Sequence, residues 1–153
     1  MDLSQREQLL ADIADGNVAL RDVGGLAIAD IFAIARVGAA AMQGGRFSQA
    51  ADVFQALCAL EPDVAEHRLH LAFARQGEGD VDGALEAALQ ALDIAALAVD
   101  DVDTGEVQAR ALLLRAELHG RADRQAALDD LAAAAALTQP SARAVVDVAL
   151  GRH

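Results

Sequence analysis

The chain has 153 residues, is 54% hydrophobic and carries a formal net charge of −12; all twelve basic residues are arginine and none is lysine. That balance lacks the basic surface needed to hold nucleic acid or anionic lipid, and without lysine there is neither a Schiff-base amine nor a phosphate-loop lysine. The length fits one domain with a continuous core, and no run of about 18 uninterrupted apolar residues calls for a membrane span.

The start, MDLSQREQLL, has no basic stretch followed by an apolar one, so no secretory signal is expected. Leu3, Leu9, Leu10 and Ile13 form a narrow apolar stripe, and a short amphipathic helix is expected there. Residues 16 to 26 contain Gly24 and Gly25 and little periodicity, which reads as a connector. A helix is then expected over residues 27 to 43, where Ile31, Ile34, Gly38, Ala41 and Met42 recur at helical spacing.

Residues 44 to 62, GGRFSQAADVFQALCALEP, carry the strongest pattern in the chain. A glycine supplies a left-handed helix cap, Phe47 anchors the turn, and Ala50 is small where two helices cross. Phe54 is the large knob one turn on, and Leu60 closes the apolar face. Pro62 then disfavours helix at Glu61. This set matches the turn and second helix of a tetratricopeptide repeat. Cys58 falls on that helix as a small buried hydrophobe; a single cysteine forms no internal disulfide and favours a reducing cytoplasm.

The pattern repeats. Asp63 and Glu66 resemble a capping pair for the next helix, Leu71 and Ala72 fill packing positions, and Gly79 marks the turn. Ala84 lies 34 residues after Ala50, the period of this repeat class. Ala88 replaces the large knob and Ala96 the closing proline. The third crossing residue, Ala127, comes 43 residues after Ala84. The excess of nine is assigned to an acidic linker of seven residues, 99 to 105, and to two residues in the turn over 120 to 125. The remaining helices are expected over residues 106 to 119 and 125 to 138; Pro140 stops the second, and Ser141 caps a last helix over 142 to 150. The expected fold is an all-α tetratricopeptide-repeat solenoid of three helix pairs, with an N-terminal helix and a C-terminal capping helix. Its segments are the N-terminal helix and connector (1–26), repeats at 27–64, 65–98 and 106–141, the linker (99–105) and the cap (142–153).

Residues 45 to 47 followed by 53 to 58 resemble the first repeat of the SycD/LcrH-type class II chaperones of bacterial type III secretion. The glycine-broken segment 14 to 26 resembles the lead-in to that family's repeats, and Arg75, Gln76 and Gly79 are similar to its second repeat. The resemblance implies a bacterial cytoplasmic protein that keeps hydrophobic translocator subunits soluble before export, without a cofactor. It also implies a transcription regulator as a further partner in some relatives, and a weak homodimer through the N-terminal helix. Neither nucleic acid nor membrane is expected as a partner.

In stacked helix pairs the first helices line one face. Counting the second, fifth, ninth and twelfth repeat positions places Phe32, Ala35, Ala39 and Met42 on it from the first repeat, and Glu66, Leu69, Phe73 and Gln76 from the second. The third supplies Val107, Arg110, Leu114 and Glu117. This face, apolar in its middle with polar edges, suits an extended peptide with apolar anchors; the alternative for Leu69 and Phe73 is that they are core. Relatives place aromatic residues along the first-repeat wall where this chain has Ala35, Ala39 and Met42.

Catalytic readings are weaker. His67 and His70, with His119 or Glu66, offer a zinc donor set, although paired surface histidines are commoner than ligands. Asp100, Asp101, Asp103 and Glu106 lack the spacing of a calcium loop and read as a solvated linker. Cys58 has no neighbouring histidine in the repeat geometry, and Ser and Thr form no nucleophile motif. The expected role is therefore binding rather than catalysis. The alternative to a secretion chaperone is a non-catalytic scaffold or adaptor in a stable complex, or a transcriptional co-regulator.

Overall fold

The computed structural model describes residues 4, 5, 8, 28–98, 102–120 and 122–152. Among these, residues 28 to 149 form seven helices and no strand. They are α1 (Ile28–Gln43), α2 (Phe47–Leu60), α3 (Ala65–Glu78), α4 (Val81–Leu97), α5 (Val102–His119), α6 (Arg124–Ala135) and α7 (Pro140–Ala149). Ser4, Gln5 and Gln8 are helical; the apolar stripe Leu3, Leu9, Leu10 and Ile13 and the connector over residues 16 to 26 lie outside the described residues.

Each helix packs on its chain neighbours, and α3 also touches α5, so the helices stack as successive pairs α1/α2, α3/α4 and α5/α6. The all-α repeat architecture expected from the spacing is what forms. Gly45 and Gly79 end α1 and α3 with φ of 72° and 80°, a left-handed conformation that a side chain would strain. Between α1 and α2 the small residue is Gly38: a Cβ there would lie 2.9 Å from the Phe54 ring. Phe54 therefore seats directly against the α1 backbone and is almost wholly buried. Its other face stacks on His70 of α3, with ring centroids 4.9 Å apart. One aromatic side chain thus joins three consecutive helices. Cys58 is buried in the same core, and burial pushes its thiol pKa up.

The core continues through Leu69, Ala91, Ala95, Val107 and Ala111, which join α3, α4 and α5. It ends in Ala109, Leu112, Ala134, Ala142 and Val146, where α7 closes over α5 and α6. Its many alanines let the helices approach closely, so packing density rather than side-chain bulk holds the stack.

Three local expectations are corrected. First, seven of the nine residues that put the third pair out of period lengthen helices. The helix α4 has 17 residues where α2 has 14, and α5 has 18 where α3 has 14. Pro62 follows Leu60 and ends α2, whereas Ala96 stands at the equivalent point and lets α4 run on to Leu97. Residues 102 to 105, expected in the acidic linker, are the first turn of α5. There the Thr104 hydroxyl donates to the Ala98 carbonyl at 3.2 Å. Second, Asp63 does not cap α3; the N-cap is Val64, without a side-chain bond. Third, Pro140 begins α7 at its first position rather than merely stopping α6, which ends at Ala135, and the N-cap is Gln139. Proline is favoured at that position because its missing N–H has no helical acceptor.

At the start of α4, Asp80 caps the helix by accepting from the Gly83 N–H at 3.0 Å. Arg75 Nη1 donates to its other oxygen at 3.0 Å. The Gly83 bond first and the Arg75 bond second hold the Asp80 carboxyl below the usual aspartate range. A carboxylate whose folded pKa is depressed contributes stability above its unfolded value and loses it as pH falls through the folded one. Asp80→Asn is therefore expected to flatten the acid side of the melting-temperature profile relative to the parent; parallel profiles below the ordinary aspartate pKa would refute this.

Candidate functional site

Of the first helices of the pairs, α3 and α5 pack on each other. Between α3 and α5 opens a cleft of ≈ 200 Å³ lined by Glu66, Leu69, His70, Glu106, Val107 and Arg110. Leu69 and Val107 are buried and form its apolar floor, while Glu66 and Arg110 are exposed at its rim. Arg110 Nη2 lies 2.7 Å from Glu106 Oε1 one helical turn away. Burial pushes the His70 pKa down, opposed by Glu66 and reinforced by His67 and Arg110. The ring therefore enters the cleft uncharged near neutral pH.

Of the residues expected on this face, Glu66, Leu69, Val107 and Arg110 come together in that cleft. Phe73 is half-buried and packs against both the first core and the Leu69 cluster. Ala35 and Met42 are half-buried against the first core, and Gln76 is half-buried on α3. Leu114 is enclosed in the first core, so it supports the face from beneath. Phe32 is 67% exposed and Glu117 is exposed. Ala39 lines a separate shallow cleft of ≈ 520 Å³ with Ala33, Arg36, Val37, Ala40 and Gln43, all on α1.

Two lining residues were not among those expected, His70 and Glu106. Both sit one position from an expected residue, and counting repeat positions assumes one facing direction per helix. The long α5 also lies against α3, α4, α6 and α7 at once, which decides its orientation by packing rather than by register.

The histidines make no donor set together: His67 Nε2 pairs with Glu61 Oε2 at 2.6 Å, while His70 stacks on Phe54. His119 faces Asp130 of α6 at 3.7 Å, beside Arg115 at 3.5 Å. No group of three or more metal-ligating side chains occurs among the described residues. Nor is any helix among them long and apolar enough to cross a membrane.

No protein-family model matches the chain, and neither does any curated protein. The chain is similar to a solved structure, that of PcrH in complex with the chaperone binding region of PopB. The two are 27% identical with a TM-score of 0.62, over 84% of this chain and 98% of the solved chain. The solved chain is thus matched almost throughout, by a chain whose repeat motifs resemble the same class of chaperone. The chain thus has the all-α tetratricopeptide-repeat fold of the SycD/LcrH-type chaperones.

Proposed function

We propose that this protein is a bacterial, cytoplasmic type III secretion chaperone. On this reading it binds an extended hydrophobic segment of a translocator subunit across α1, α3 and α5 and keeps that subunit soluble before export. The observation that carries the reading is the likeness to PcrH, which was solved with a segment of its partner bound. The apolar-floored cleft between α3 and α5 supports it, as does a chemistry suited to recognition. The work is non-catalytic and uses no cofactor.

Burying one apolar anchor fully contributes roughly 1.5–3 kcal/mol before ordering costs. Three anchors with a few main-chain hydrogen bonds therefore reach about −8 kcal/mol, near micromolar. That strength holds a client and still releases it.

The test is co-expression with the hydrophobic proteins encoded by neighbouring reading frames, followed by hydrogen exchange on the purified complex. A soluble complex is expected, with added protection in α3 and α5. Protection confined to α6 and α7 would place the partner elsewhere and refute the groove.

A further inference from the structure

The cleft between α3 and α5 does not end at Glu66. A second cavity of ≈ 240 Å³ adjoins it, reaching between α3, α4 and α5, and the two share Glu66 and Val107. Ile94, Ala95, Ala98 and Val107 supply its apolar lining; Ala95 and Val107 are buried and Ile94 is half-buried. The cavity lies where α4 and α5 run longer than α2 and α3: Ala95 and Ala98 lie beyond the point equivalent to the end of α2.

The charge around the two cavities is one-sided. Asp63, Glu66 and Glu106 line them, and the lining cation, Arg110, is already held by Glu106. His70, half-buried against Phe54, has its pKa pushed down by that burial, which works against a positive charge there. An extended segment crossing from one cavity to the other passes Glu66 midway.

We propose that the second cavity is an anchor subsite for another apolar side chain of the bound segment, and that a basic side chain of the segment lies between the two anchors, against Glu66. This rests on the peptide-binding reading above and adds to it a path and a charge preference. Apolar floors fix the anchors by burial. Carboxylates at the rim select by charge, since a like charge brought against them is repelled.

Fluorescence anisotropy with the full chain tests this. The probes are short synthetic peptides carrying two leucines one, two or three residues apart, with arginine, glutamine or glutamate between them. A fourth probe has the second leucine replaced by serine. At the best spacing the arginine peptide is expected to bind about tenfold tighter than the glutamate peptide at low salt, with the gap narrowing as salt rises. Serine for leucine is expected to cost about tenfold. Glu66→Gln, a change at an exposed side chain, is expected to remove most of the difference between the arginine and glutamate peptides. Equal binding of the three charge forms, unmoved by Glu66→Gln, overturns the inference and leaves the groove reading standing. If no peptide binds at any spacing, both fall.

Discussion

Phe54→Ala is expected to lower the unfolding free energy by roughly 3–5 kcal/mol, the usual cost of deleting a fully buried aromatic ring. For a chain of this size that corresponds to a fall in melting temperature on the order of 10 °C. The ring is 1% exposed, lies against Gly38 of α1 on one side and stacks on His70 of α3 on another. No neighbouring side chain can move in without breaking a helix contact. Urea denaturation followed by circular dichroism measures the loss; a midpoint unchanged from the parent would show that the three helices are held by something else. Gly38→Ala supplies an internal control. Its new methyl meets both the Phe54 ring and Val53 in the parent but only Val53 in Phe54→Ala, so it should be better tolerated in the second background.

Phe73→Asp is expected to weaken binding of the co-purified client segment at least tenfold, about 1.4 kcal/mol, and also to lower stability. Both effects follow from position: the ring is half-buried and spans the first core and the cluster around Leu69. A carboxylate there is partly desolvated and stands where an apolar anchor would approach. Phe73→Leu keeps most of the packing and is expected to retain the fold with a smaller loss of affinity. Arg124→Ala, at the exposed start of α6, should change neither property. Titration calorimetry paired with melting curves separates the two effects. Phe73→Asp that stays folded and binds like the parent would remove Phe73 from the binding face.

The sequence by itself determined the repeat. Gly45, Ala50 and Pro62 act within one helix pair, through backbone strain, small-residue crossing and helix termination, and the rings of Phe47 and Phe54 extend the same pattern to α3. Such local physics is legible without knowing what packs on what. Gly38 stands in the apolar row of its helix with Ile34 and Ala41, where the spacing alone puts it on the packed face.

What only the tertiary structure decided lies where local signals are weak or ambiguous. An acidic stretch reads equally as a solvated linker or as a helix start, and burial of Thr104, Val107 and Ala95 settles it as the start of α5. The absence of proline at Ala96 permits a longer helix but does not require one; packing of Ala95 against Leu69, Val107 and Ala111 makes use of it. Repeat counting named Glu66, Leu69, Val107 and Arg110 of the cleft between α3 and α5 but not His70 and Glu106, each one position from a counted residue, because counting assumes one facing direction per helix. The second cavity, too, comes from the extra length of α4 and α5 meeting across α3, a long-range consequence that no spacing within either helix records.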